Sequence, residues 1–143
     1  MNEALEALRA LKETLQGLPG AMPDMLAASF KNIAPLVEDL NLQQLARGER
    51  VDGSKLPDYS PVSVLFYGKP PGPMILHDRG DYWRGIECQV SQSGIELVGT
   101  DIKTEMLDLR YGDTVGLQQS SIDTINQEYL PTEVEQQILK RIQ

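Results

Sequence analysis

A chain of 143 residues, 41% hydrophobic and 24% charged, is long enough to enclose one apolar core, and its formal charge of −8 works against unaided binding to nucleic acid or an anionic membrane. The single cysteine, Cys88, excludes an intrachain disulfide and a multi-cysteine metal site, and no apolar run approaches the roughly 18 residues of a membrane span. The acidic residues near the start do not read as a signal peptide, so a reducing cytoplasm is the expected setting. One domain is expected over 1–143, in three zones: a helical region 1–47, a loop-rich connector 48–73, and a hairpin with C-terminal helices 74–143.

In the first zone Ala4, Leu8, Leu11, Leu15 and Leu18 recur at steps of 4, 3, 4 and 3, one apolar stripe on a helix that Asn2 can cap. Such a stripe reads first as a core face, and alternatively as a seam for self-association. Gly17, Pro19 and Gly20 are expected to stop this helix, and a second to begin near Pro23. Leu26, Phe30, Ile33, Val37 and Leu40 keep the helical period, with a kink or split expected at Pro35 and a stop at Gly48.

The connector carries the turn signal Asp52-Gly53. Ser60-Pro61 offers a helix cap and first helical residue, yet Val62–Tyr67 is β-branched and aromatic, so helix and strand both remain open there. Pro70 and Pro71 make GKPPGP an extended or turning segment, a connecting loop or a docking site.

In the third zone Ile86, Cys88 and Val90 alternate with Glu87 and Gln89, SQSG turns, and Ile95 and Leu97 follow: a hairpin near 85–99 with one buried face. Asp101 can cap a short helix holding Ile102, Met106, Leu107 and Leu109 and ending at Tyr111-Gly112. Ile122 and Ile125 mark another helical piece. Thr132 and Glu135 form a capping box for a last helix faced by Val134, Ile138, Leu139 and Ile142.

The stretch LHDRGDYWRGIE, residues 76–87, holds the only histidine and the only tryptophan. His77 and Asp78 are adjacent, where side chains diverge, and no serine sits in a nucleophile elbow. Cys88 lies on the buried alternation, where a thiol acts as a small hydrophobe. No EF-hand spacing, dinucleotide fingerprint or P-loop is present. Many carboxylates leave a small acidic hydrolase as an alternative, but nothing singles out two of them. Arg79-Gly80-Asp81 spells an adhesion tripeptide without a secretion signal or disulfides around it. The preferred reading is a structural corner: Gly80 turns, Asp78 or Asp81 caps amides, and Tyr82 and Trp83 supply large apolar bodies. No catalytic residue, cofactor or metal is expected.

Gly48, Asp52, Gly53, Tyr59, Ser60 and Pro61, then Leu76, Asp78, Gly80, Asp81 and Tyr82, then Thr100, Asp101, Lys103, Leu107, Tyr111, Gly112, Gly116 and Leu117 make a dispersed pattern. Over residues 45–117, about half the chain, this resembles the tail-completion and neck proteins of tailed bacteriophages, a head–tail connector and virion-morphogenesis group. Arg79 departs from it, since relatives often read Asp-Thr-Gly at the corner. The resemblance implies an α+β fold with a small antiparallel sheet packed with a long N-terminal helix and short C-terminal helices. It also implies a non-enzymatic virion subunit assembled in the host cytoplasm into a homo-oligomeric ring, six- or twelve-fold, beside other phage neck, portal or tail proteins. Membranes and sequence-specific nucleic acid are not expected partners. Candidate interfaces are Leu8, Leu11 and Leu15, Tyr67, Pro70 and Pro71, and Ile138 and Ile142. The acidic charge can repel packaged DNA or pair with a basic neighbour. A non-viral protein-interaction adaptor is the second reading.

Overall fold

The structure, a computed structural model, describes residues 2–91 and 94–142, without the side chains of Asn2 and Thr14. The elements are helix α1 (Asn2–Ala46), α2 (Pro61–Phe66), α3 (Asp81–Arg84), strands β1 (Ile86–Ser91) and β2 (Gly94–Gly99), α4 (Thr104–Tyr111), α5 (Gln119–Thr124), a π-helical turn (Ile125–Tyr129) and α6 (Leu130–Ile142). A long N-terminal helix, a two-stranded antiparallel sheet and short C-terminal helices make an α+β fold, as expected. The chain forms two compact units: Met1–Ala34 with Val90–Ile95 and Thr124–Gln143, and Pro35–Gln89 with Glu96–Asp123.

α1 departs from the reading of two helices. Gly17 and Gly20 do not take up positive φ, so no left-handed cap forms, and the helix passes through Pro19, Pro23 and Pro35. Each proline removes one N–H and crowds the carbonyl four residues back, a local cost of about 3 kcal/mol. All three prolines lie exposed, so water can reach the carbonyls they leave unpaired. The Asn2 side chain expected to cap this helix and the Gln92-Ser93 part of the predicted turn lie outside the described residues.

In the first unit Met25, Ile33 and Ile125 are buried, and buried Ser29 returns its hydroxyl to the Met25 carbonyl at 2.8 Å. Asn32 Nδ2 donates to Glu133 Oε2 at 3.2 Å, joining α1 to α6. The predicted capping box does not form. The chain is already helical before Thr132, whose hydroxyl instead donates to the Glu128 carbonyl at 2.8 Å. A cap residue is useful only where backbone N–H groups lack partners. The stripe Leu8, Leu11, Leu15 is not a core face in this chain: Leu8 is 64% exposed, and Leu11 and Leu15 also lie in solvent.

The second unit has its core on Leu45, Tyr82 and Ile86, with half-buried Leu42, Leu76, Trp83, Leu97, Leu107 and Val115 around them. Fully burying a large apolar side chain such as Leu45 or Ile86 contributes roughly 1.5–3 kcal/mol, and the half-buried ones contribute less. The hairpin buries less than its alternation promised. Ile86 is inside, Cys88 half-buried and Val90 exposed, because packing partners gather at the start of β1.

α1 stops at Gly48, as expected. Its φ of +67° lets the Gly48 N–H donate to Leu45 O at 2.8 Å and the Glu49 N–H to Gln44 O at 3.0 Å, the paired bonds of a Schellman cap. Just beyond, Glu49 accepts from Arg47 Nε at 2.8 Å, Lys55 Nζ at 3.2 Å and Gln118 Nε2 at 3.2 Å. The Arg47 guanidinium chiefly, helped by Gln118 and Lys55 and opposed by burial, holds this carboxyl down at about 2 against an ordinary 4.5. A lowered folded value stabilises above the unfolded value and loses that contribution as pH falls through the folded one. The stability advantage of wild type over Glu49→Gln is therefore expected near neutral pH, to shrink below pH 4.5 and to be gone near pH 2, read from urea midpoints across that range.

Two buried amides on α1 organise the loop after α4. Asn41 donates to the Thr114 carbonyl and accepts the Gly116 N–H, each at 2.9 Å. Gln44 donates to the Gly116 carbonyl and accepts the Gln118 N–H, each at 2.8 Å. Side chains one helical turn apart thus do for residues 114–118 what a neighbouring strand would do. Gln118 Nε2 closes the set on the Arg50 carbonyl at 3.1 Å.

Candidate functional site

The helix-or-strand question at 61–67 resolves to a helix. Ser60 caps it, its hydroxyl accepting the Ser63 N–H at 3.2 Å, and Pro61 takes the first position. β-propensity counts on a pleated, half-buried surface, and no strand pairs here to provide one. α2 buries none of its residues. Its end leads through Gly68 and the prolines back to the corner.

Ile75 is held on both sides there: its N–H donates to Tyr59 Oη at 3.2 Å, and its carbonyl accepts Trp83 Nε1 at 2.8 Å. Next to it, Leu76 takes φ +53°, a left-handed conformation that costs a branched residue about 1–2 kcal/mol. The two anchors on Ile75 and the packing of Leu76 against the core offset that cost. The His77 and Trp83 rings then meet in a T-shaped pair, centroids 4.7 Å apart at 80°.

Gly80 turns the chain at φ +84° and precedes α3. The aspartates do not cap amides as expected. Asp81 pairs with Arg84, and Asp78 lies 3.8 Å from Lys69 Nζ, each satisfied by a nearby cation. Tyr82 drops into the core, its hydroxyl 2.7 Å from Thr114 Oγ1, while Trp83 is half-buried. A Cβ on Gly80 would meet the tip of Arg84 at 2.8 Å and of His77 at 3.2 Å, both flexible ends. Gly80→Ala is accordingly expected to cost about 1–2 kcal/mol from the backbone alone, with Gly80→Val at the upper end, by thermal or urea unfolding.

A cleft of about 720 Å³ opens beside this corner, lined among others by Tyr59, Tyr67, Lys69, His77, Asp81 and Lys103. α4 contributes Leu107 and Tyr111. Lys69 is engaged by its surroundings: Nζ donates to the His77 carbonyl at 3.2 Å and lies 5.6 Å from the centre of the Tyr59 ring. The lining mixes both charge signs with hydroxyls and apolar walls, a chemistry of hydrogen bonding and stacking rather than of one concentrated charge. Among the described residues no group of three or more His, Cys, Asp or Glu could share a metal ion. Cys88 does not line the cleft. Burial chiefly, then Glu38, pushes its thiol up to about 11, far from a thiolate nucleophile at neutral pH. Burial and then the neighbouring Asp113 also lift the Asp108 carboxyl, which likewise stands outside the cleft lining.

Of the sequence-derived interface candidates, Tyr67 sits exposed at the cleft, Pro70 and Pro71 are exposed on the loop beside it, and Ile142 is exposed on α6 while Ile138 is half-buried. Leu8, Leu11 and Leu15 lie exposed on α1. Two apolar faces were missed. α2 presents Val62, Leu65 and Phe66, the last two 75% and 76% exposed. α4, with the turn before it, presents Ile102, Met106 and Leu109, at 96%, 54% and 83%. Steps of 4 and 3 put those three on one side of the helix, whereas Lys103, Leu107 and Tyr111 line the cleft from the other. That division was readable as two apolar phases in one short helix.

The residues thus build an α+β protein with a cleft of mixed polar and apolar lining, flanked by exposed apolar side chains on α2 and α4. Comparisons with family models, with curated proteins and with solved structures find no match. No helix among the described residues is long and apolar enough to cross a membrane.

Proposed function

We propose that this chain is a structural subunit of a tailed-phage neck, one copy of a ring at the head–tail junction that joins the portal or its adaptor to the tail. The observation that carries the reading is apolar side chain left in solvent on three separate elements, the start of α1, α2 and α4. Isolated exposed leucines are ordinary, but clustered faces at helical spacing mark surfaces that another protein covers. The phage pattern supports it further, because its residues are pivots of the second unit. Gly48, Gly53, Gly80, Gly112 and Gly116 all take positive φ, Tyr59 anchors Ile75, Asp101 Oδ1 accepts the Lys103 N–H at 2.8 Å, and Tyr82 and Leu117 are buried.

The test is absolute mass by light scattering over a concentration series, alone and with neck proteins from the same phage. Growth to six or twelve times 15.9 kDa, alone or on such a partner, is the expected result. A strict monomer that also fails to bind those partners would overturn the reading.

A further inference from the structure

We infer that the ring contact is heterologous, with α2 of one copy seated on the outward face of α4 of the next. This rests on the ring reading above and names the two surfaces that make it. The faces are unlike in shape. Leu65 and Phe66 project from a six-residue helix, whereas Ile102, Glu105, Met106, Leu109 and Arg110 line an open depression of about 490 Å³.

They are unlike in chemistry as well. α2 offers aromatic rings, Phe66 and Tyr67, while the α4 face offers branched aliphatics and the Met106 thioether, which pack well on ring edges. Arg110, held 5.4 Å from the Tyr111 ring centre, supplies a cation at the rim suited to an arriving aromatic. Charge permits the contact. Copies of a chain carrying −8 repel unless they meet where charge is missing. Tyr59 to Gly68 holds no Asp, Glu, Lys or Arg, and the α4 face sets one acid, Glu105, against one base, Arg110.

A single contact of this kind is small. Phe66 and Tyr67, three-quarters exposed, each carry on the order of 100–200 Å² of free surface. Face on face, the contact covers a few hundred Å² per partner, short of the roughly 800 Å² of a standard stable pair. A two-fold pair covers both faces only if α2 of each copy reaches α4 of the other at the same time. One head-to-tail contact covers both in every subunit once the ring closes. Closure makes that contact twice per copy.

The experiment uses the full chain with Cys88→Ser, carrying Leu65→Cys, Met106→Cys or both, treated with a short bismaleimide. Each single variant alone is expected to remain monomeric, an equal mixture to give a covalent dimer, and the double variant to give a ladder ending at the ring. Dimers from one single variant as abundant as from the mixture would show a two-fold contact and overturn the proposal. A double variant that stops at a covalent dimer would show a reciprocal two-fold pair, and one without any cross-linked product would show no such contact; either overturns the proposal. Wild-type light scattering in parallel separates the two levels. A ring without a ladder removes this interface and keeps the ring reading; a monomer without a ladder removes the interface and leaves the ring reading to the partner-binding test.

Discussion

Gly48→Ala is expected to lower the unfolding free energy by about 3 kcal/mol, a fall in melting temperature of roughly 10 °C for a domain of this size. Two costs add. At φ +67° any side chain pays about 1–2 kcal/mol for the left-handed conformation. The new Cβ would also stand 2.5 Å from Pro73 Cβ and 2.9 Å from the Met74 carbonyl, neither of which is a flexible tip that can swing away. Relief requires shifting 73–74, the segment that leads into the anchored Ile75, or opening the Schellman cap. Gly53→Ala is the internal control. Its φ is +87°, yet nothing lies within 4 Å of a Cβ there, so only the backbone cost of about 1 kcal/mol applies. Equal losses at the two glycines would show that the approach of Pro73 and Met74 is not what demands glycine at position 48.

The second large effect is expected at the buried amides. Asn41→Leu and Gln44→Met keep approximate shape but leave two backbone groups of residues 114–118 without partners at each site. An unsatisfied buried donor or acceptor costs about 1–3 kcal/mol, so each substitution is expected to cost roughly 2–4 kcal/mol by urea unfolding. The pair should cost less than the sum, because releasing 114–118 from one amide already loosens it from the other. Strict additivity would mean that the two amides hold the loop independently. The loss also has a local signature. The hydroxyl of Tyr82 meets Thr114 within the same loop, so near-ultraviolet tyrosine signals should change before global unfolding.

These two sites show where reading the chain as text succeeds and where it stops. The stop at Gly48, the turn at Gly80 and the helix end at Gly112 were legible, because a left-handed residue is a requirement that glycine alone meets cheaply. The hairpin was legible from its alternation. Ser60-Pro61 named a helix start and outweighed the β-branched residues after it, although the composition of 62–67 left that choice open. Asn41 and Gln44 stand in the helical phase of Val37, so two amides amid apolar positions were a visible oddity. What they bind lies 72 to 75 residues away, and no local pattern names a partner at that distance.

By itself, then, the sequence of this protein determined its local conformations: which residues turn, which share a helical face, where the strands alternate. Tertiary structure decided three further matters. α1 runs on through its prolines, because the loss is one hydrogen bond at a time and solvent can reach the freed carbonyls. The capping box at Thr132 lapses, because the residues before it are already helical. The stripes at Leu8–Leu15 and Ile102–Leu109 face solvent while Leu45 and Ile86 do not. Periodicity states which side chains point the same way, and burial depends on whether another surface arrives to meet them.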